Sequence, residues 1–158
     1  MKVIGIDPGL NNIGWAILTK DKKGNPIYIN SGIIKTTNKQ SLPARLALIF
    51  NSLDKIIEQN EVDFAAIEEV FINMNAKSSM ALSFARGAIL TLIGYKNLEA
   101  KEYAPNKIKK TLSGNGKADK SQIEKMISLI IPEAKFSTKD EADAIAIAYT
   151  GLVLGDLS

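Results

Sequence analysis

The spacing of the apolar residues changes once along the chain, near Ser41, and this change limits the folds that the sequence can adopt. Three short apolar runs rich in β-branched residues precede it, at 2–7, 13–18 and 27–35. Asn11-Asn12 and the segment DKKGNP at 21–26 separate these runs, and such residues are typical of tight turns between antiparallel strands. The first 35 residues are therefore predicted to form a three-stranded antiparallel meander.

After Ser41 the apolar residues recur every three or four positions, which indicates an amphipathic helix. The segment at 62–71 follows, and its continuous apolar core up to Glu68 is typical of a strand buried on both faces. Beyond it the pattern predicts a helix at 80–93, a short strand at 98–103, and helices at 107–112, 121–131 and 140–154. This order predicts an α/β fold with a mixed five-stranded sheet and helices on both faces. A length of 158 residues is typical of one domain, which we expect to span residues 1–158.

The composition excludes several kinds of active site. The chain contains no cysteine and no histidine, so it can build no disulfide scaffold, no zinc site of thiolates or imidazoles, and no histidine-dependent triad. The net charge is only +3, but residues 101–125 contain seven lysines and three acidic residues. So concentrated a basic segment predicts a surface that binds a polyanion, although lysines also solvate ordinary helix faces.

Four acidic residues stand where a sheet and a helix could bring them together. Asp7 ends the first predicted strand, and Glu68 ends the apolar core of the central one. Asp140 and Asp143 share one face of the last helix, whose alanines would let it approach the strand ends closely. Simpler roles exist, since Asp7 could cap a turn and Asp140 a helix. Glu68 is harder to explain in that way, because an acid in an apolar run is costly unless it is paired or bound to a metal.

Carboxylates without imidazoles favour a hard divalent cation such as Mg²⁺ or Mn²⁺. Two such ions, about 3.5–4 Å apart, can activate water and stabilise the leaving oxygen of a phosphodiester. The sequence therefore predicts a nuclease site that holds two Mg²⁺ ions, with Mn²⁺ as a substitute. Glu69 and Glu141 lie beside the predicted ligands, but strand alternation and helical spacing turn them away from the site.

Four segments, in order, resemble the RuvC family of Holliday-junction resolvases: GIDPGLNNIGWA, AIEEVF, EYAPNKIKKTLSGNGKADKSQ and DEADAIAIA. The pieces PARL at 43–46 and ARG at 85–87 also match the family pattern. The resemblance covers essentially the whole chain. It implies an RNase H-like fold, a homodimer, and Mg²⁺-dependent nicking of two opposed strands of a four-way DNA junction in recombination and repair. It also implies a branch-migration complex, RuvA–RuvB, as a partner.

The resemblance assigns roles to individual residues. By motif, the catalytic acids and metal ligands are Asp7, Glu68, Asp140 and Asp143. Lys120 matches a lysine close to the active site and is also expected to be catalytic. Phe71 matches an aromatic residue that stacks on bases at the junction centre. The predicted DNA contacts are Phe71, Lys77, Lys107, Lys109, Lys110, Lys117 and Lys120. Taken alone, Phe71 could equally anchor a loop.

The predicted helix at 80–93 carries more apolar residues than one buried face requires. They are Leu82, Phe84, Ala85, Ala88, Ile89, Leu92 and Ile93. We expect this helix to form the interface of the homodimer, unless neighbouring helices of the same chain cover it.

Three other functions share parts of this pattern. A related RNase H-like nuclease that processes ribosomal RNA precursors also opens with G-x-D-x-G, but AIEEVF and GNGKADKSQ favour the resolvase. An actin-like or sugar-kinase-like ATPase needs a second D-x-G, and Asp7-Pro8-Gly9 is the only one in the sequence. A junction-binding protein without catalysis would not need four converging acids.

The chain is expected to be cytoplasmic and not associated with a membrane. The charge at Asp7 and the turn at Pro8-Gly9 come too early for the apolar core of a signal peptide. No apolar run reaches the roughly 20 residues that span a bilayer.

Overall fold

The computed structural model describes residues 1–70 and 75–155, and its elements follow the predicted order. The meander consists of β1 (Val3–Asp7), β2 (Asn12–Lys20) and β3 (Pro26–Lys35). Helix α1 (Leu42–Asn60) leads into β4 (Phe64–Glu68), and α2 (Ala76–Tyr95) leads into β5 (Glu99–Tyr103). Three helices complete the fold: α3 (Pro105–Ser113), α4 (Lys120–Ile130) and α5 (Lys139–Leu154). Among the described residues, no helix is long and apolar enough to cross a membrane.

The five strands form one mixed sheet in the order β3-β2-β1-β4-β5, which confirms the predicted fold class. The pairs β1–β2 and β2–β3 are antiparallel, whereas β1–β4 and β4–β5 are parallel. Because β1 and β4 are parallel neighbours, with Ile6 beside Ile67, their carboxyl ends meet at one edge of the sheet. Asp7 and Glu68 therefore lie at that edge.

Helices cover both faces of the sheet, as predicted, and β4 shows why. Its residues Phe64, Ala65, Ala66 and Ile67 are all buried. Phe64 and Ala66 belong to the apolar cluster shared with α3, α4 and α5, while Ala65 and Ile67 belong to the cluster shared with α1 and α2. Strand alternation then turns the side chain of Glu68, like that of Ala66, to the face that α5 covers.

Helix α5 lies unusually close to β1 and β2, because small residues face each other there. A Cβ atom at Gly5 would overlap the backbone of Ala144 and Ala148. A Cβ atom at Gly14 would overlap the backbone oxygen of Asp140. The close approach that the alanines of α5 predicted is therefore present, and glycines of the sheet make the other half of it.

Helix α2 differs most from its predicted bounds. It begins at Ala76 instead of residue 80, because the side chain of Asn75 accepts a hydrogen bond from the backbone N–H of Ser78 and caps the helix. Such polar caps are weaker signals in a sequence than an apolar period.

Candidate active site

Three of the four predicted acids converge at the edge of the sheet. Single carboxylate oxygens of Asp7, Asp140 and Asp143 all lie within 4.8 Å of one another, and all three residues are partly buried. Asp7 ends β1, directly opposite Gly14 in the β1–β2 register. Because Gly14 has no side chain, the first turn of α5 reaches the strand at this point and brings Asp140 beside Asp7.

A capping box holds the amino-terminal end of α5 in place. The Thr138 hydroxyl accepts the backbone N–H of Glu141, while the Glu141 carboxylate accepts the backbone N–H of Thr138 at 3.1 Å. The same carboxylate accepts two hydrogen bonds from Ser137. Glu141 is thus engaged in the cap and is not one of the three clustered acids, as helical spacing predicted.

Glu68 lies beside the cluster, outside the set of three close carboxylates. With Lys109, Lys120 and Asp143 it lines a cleft of about 270 Å³. Burial and the nearby charge of Asp143 raise the pKa of Glu68, while Lys120 and Lys109 act in the opposite direction. Glu68 therefore interacts electrostatically with both the acids and the lysines of the cleft.

The surroundings of Asp7 disfavour a negative charge on its carboxyl group. Burial, and then the charges of Glu68, Asp143 and Asp140, raise the pKa of Asp7 to about 8. A partly buried group of carboxylates, in a chain without histidine or cysteine, suits hard cations that take oxygen ligands. The donor set therefore fits Mg²⁺ or Mn²⁺.

Lys120 and Lys109 are the predicted basic residues that line the cleft. The Lys120 ammonium donates a hydrogen bond to the Asp143 carboxylate at 3.2 Å, and this acid raises the pKa of Lys120. Lys120 is placed there because Asp119 caps α4 in a capping box with Gln122, which makes Lys120 the first residue of the helix. The other predicted lysines are exposed outside the cleft: Lys77, Lys107, Lys110 and Lys117. The predicted base-stacking residue Phe71 lies outside the described residues.

Sequence reasoning missed residues that hold the strand ends. Arg86 donates a hydrogen bond to the backbone carbonyl of Glu68 at 3.0 Å. Arg45 is buried, and it donates hydrogen bonds to Thr36 and to Asn11, in the turn after β1. Both arginines belong to short segments, PARL and ARG, that matched the family pattern without an assigned role. The close contact of Gly14 with α5 could have been predicted, because a glycine inside a strand often marks a close backbone contact.

Comparisons with known proteins agree with this geometry. Residues 3–151 match the family model described as crossover junction endodeoxyribonuclease RuvC. The RuvC protein of Rickettsia felis is 48% identical over 151 residues, which cover 95% of this chain and 96% of that protein. The RuvC protein of Rickettsia akari is 49% identical over 155 residues, at the same two coverages.

Solved structures show the same fold. The structure of T. thermophilus RuvC in complex with a Holliday junction substrate has a TM-score of 0.91 at 24% identity, covering 98% of this chain and 94% of that chain. A second Thermus thermophilus RuvC structure has a TM-score of 0.87 at 25% identity and covers 98% of this chain and 97% of that one. None of these comparisons favours the alternative of a nuclease for ribosomal RNA precursors. The chain belongs to the RuvC family of crossover junction endodeoxyribonucleases.

Proposed function

We propose that this protein resolves Holliday junctions by nicking two opposed strands of a four-way DNA junction during recombination and repair. The observation that carries the proposal is the cluster of Asp7, Asp140 and Asp143, with Glu68, Lys109 and Lys120 beside it, in a chain of the RuvC family. Metal-dependent cleavage of a phosphodiester requires acids that can hold divalent cations. The lysines beside them can bind phosphates.

Asp7, Asp140 and Asp143 would hold the metal, with Glu68 as the fourth ligand. When bound, divalent cations lower the pKa of water and stabilise the charge that develops on the phosphate oxygens. Two Mg²⁺ ions, replaceable by Mn²⁺, would favour the ionised form of Asp7, whose pKa is raised first by burial and then by repulsion from the other acids. Lys120 and Asp143 form an ion pair among the residues that line the cleft, where the ammonium could face the scissile phosphate.

Four exposed lysines add positive charge to the surface beyond the two lysines, Lys109 and Lys120, that line the cleft. Lys107 and Lys110 lie on α3, Lys117 lies in the loop before α4, and Lys77 lies in the first turn of α2. Together with Lys109 and Lys120 they would bind the phosphate backbone, which attracts a protein regardless of base sequence. Stacking of Phe71 on a base at the junction centre stays a prediction.

The proposal includes a homodimer, because two matched nicks on two-fold related strands require two matched active sites. The apolar groove between α1 and α2 supports it: the groove is about 550 Å³ in volume, and its lining includes Leu46, Phe50, Phe84 and Ala88. Part of the expected interface is excluded, since Ala85, Ile89, Leu92 and Ile93 are buried in the core of the chain itself. The exposed large apolar residues of α2 are Met80, Phe84, Leu90 and Tyr95. Association with RuvA–RuvB stays a prediction from the resemblance.

Isosteric changes of the acids test the proposed site. Asp7→Asn, Glu68→Gln, Asp140→Asn and Asp143→Asn each keep the shape of a ligand and remove its charge. Each is expected to lower Mg²⁺-dependent nicking of a labelled four-way junction by more than about 100-fold, beyond the effect typical of residues that only support a ligand. Junction binding in EDTA should persist, because lost negative charge does not weaken attraction to phosphate. Glu69→Gln, an exposed neighbour, is the matched control.

Cleavage assays on three nucleic acids distinguish a junction resolvase from a nuclease that processes RNA. Four-way junction, linear duplex and structured RNA are incubated with the protein in Mg²⁺ or in EDTA. Paired nicks in the junction alone are expected. Cleavage of RNA in preference to the junction would contradict the proposal, and normal nicking by any one of the four variants would remove that residue from the site.

A further inference from the structure

Arg86 contacts the backbone of Glu68 from the face of the sheet opposite to the one on which the Glu68 side chain lies. It lies on α2, whose neighbouring residue Ala85 packs in the apolar cluster on the α1 side, whereas α5 covers the other face. One end of its guanidinium donates to the backbone carbonyl of Glu68 at 3.0 Å. The other end forms a hydrogen-bonded ion pair with the Glu102 carboxylate at 2.8 Å. The Arg86 side chain is only 17% exposed.

These contacts hold the peptide group that follows Glu68 at both of its polar atoms. The paired part of β1 and β4 ends at Ile6 and Ile67, one residue before Glu68. The N–H of Glu69 donates to the carbonyl of Tyr103 on β5 at 2.9 Å, and Arg86 binds the carbonyl of Glu68. Because a peptide group is planar, fixing both atoms fixes the backbone from which the Glu68 side chain projects.

We propose that Arg86 is a positioning residue that aims the Glu68 carboxylate at the acid cluster. The inference rests on the proposed role of Glu68 as a metal ligand. A planar guanidinium can donate to the Glu68 carbonyl and to the Glu102 carboxylate at once, each from its own nitrogen. Lysine keeps the charge, but its three N–H donors all lie on one nitrogen of a flexible stem. It therefore lacks the planar fork in which each guanidinium nitrogen binds its own acceptor.

Arg86→Lys is the principal variant, and Glu102→Gln is a second one that changes only the partner of the guanidinium. Lys96→Met is the matched control, because Lys96 lies just after the last turn of α2 and pairs there with Asp54, at 2.6 Å, and with Glu58 on α1. It removes ion pairs of the same helix without touching the Glu68 peptide. Unfolding midpoints of all variants establish that each one is folded at the temperature of the assay.

Three measurements separate positioning from other roles. Arg86→Lys is expected to lower the nicking rate at saturating protein by about tenfold, the size of effect typical of residues that orient a metal ligand. In protein without DNA, it should raise the Mn²⁺ concentration that gives half of the metal-induced increase in unfolding temperature. Junction affinity in EDTA, and its salt dependence, should equal those of the wild type. Glu102→Gln should change the rate and the metal requirement in the same direction, but less.

Other outcomes overturn the inference. Weaker junction binding and a smaller salt slope, with a normal rate at saturation, would make Arg86 a DNA contact. Rates and metal requirements that Lys96→Met and Arg86→Lys change equally would make Arg86 a stabilising residue only. Glu68→Gln, assayed in parallel, separates the proposed role of Glu68 from that of Arg86. If Glu68→Gln nicks normally, the proposed role of Glu68 fails. If Glu68→Gln is inactive while Arg86→Lys nicks normally, only the role of Arg86 fails.

Discussion

Among the residues that the structure describes, Asp7 shows the strongest conflict between burial and charge. Its ordinary pKa of 3.8 rises to about 8, first because the side chain is buried and then because Glu68, Asp143 and Asp140 repel its charge. Between these two values the folded protein binds a proton that the unfolded chain has already released. The free energy of unfolding of the metal-free protein therefore falls as pH rises through this window. The stability that comes from protonated Asp7 is fully lost above about pH 8.

Asp7→Asn is expected to flatten this pH dependence, because asparagine carries no charge at any pH in the window. Urea unfolding in EDTA, measured from pH near 4 to pH near 8, should show a steeper loss of stability in the wild type than in the variant. Near pH 8 the variant should be the more stable protein, and Mg²⁺ should reduce the difference by stabilising the wild type. Glu69→Gln should follow the wild-type curve; parallel curves for wild type and Asp7→Asn would contradict the expected titration of Asp7.

Among the elements, α5 depends on the sheet for the position of its acids. Gly14 pairs with Asp7 and faces the backbone of Asp140, so that one strand position sets the distance between two proposed ligands. Gly5 makes the corresponding contact farther along the helix, at Ala144 and Ala148. The two glycines therefore help to position the proposed ligands by letting α5 pack close to the sheet, although they have no side chain that could bind a metal.

Gly14→Ala is expected to push the first turn of α5 away from β2, because the new methyl group overlaps backbone atoms that cannot rotate aside. The change should cost about 1–3 kcal/mol of stability, as overpacking usually does. It should also raise the Mg²⁺ concentration required for half-maximal nicking. Gly94→Ala is the control, since a Cβ atom there meets nothing within 4 Å. A Gly14→Ala protein with wild-type metal requirement would show that α5 is positioned by its other contacts.

At the scale of the whole molecule, the apolar face of α1 and α2 predicts self-association. Phe84 is 39% exposed and lines the groove that Leu46 and Phe50 also line. Sedimentation at micromolar concentration should give a mass near twice 17.1 kDa. Phe84→Glu, which places a charge in the proposed interface, should give a monomer and slow the second nick of a junction far more than the first.

Leu129→Glu is the control for this prediction. Leu129 is 73% exposed, and it lies on α4, which packs on the other face of the sheet. A charge there should leave the mass and both nicks unchanged. Dissociation by Leu129→Glu instead of Phe84→Glu would place the interface elsewhere. A wild-type monomer that still makes paired nicks would mean that the DNA assembles the dimer.

The sequence alone determined the order of the elements, the mixed sheet, and the acids at the strand ends and on the last helix. These follow from local properties: apolar period, turn residues, and the place of a charge within an apolar run. The family motifs added the roles of Asp7, Glu68, Asp140 and Asp143, which stay predictions until the variants are assayed. Even the bounds of α2 escaped this reasoning, because a single capping side chain, that of Asn75, decides them.

Only the tertiary structure decided which of these residues meet. Asp7, Asp140 and Asp143 lie together because Gly14 lets a helix from the far end of the chain touch β2. Glu68 lies beside them because β4 pairs with β1. Lys109 and Lys120 line the cleft, whereas equally basic neighbours on the same segment lie outside it. The pKa of Asp7 and the hydrogen bond from Arg86 to the Glu68 carbonyl likewise depend on distances between residues remote in sequence. No local pattern encodes such distances, because packing of the whole chain sets them.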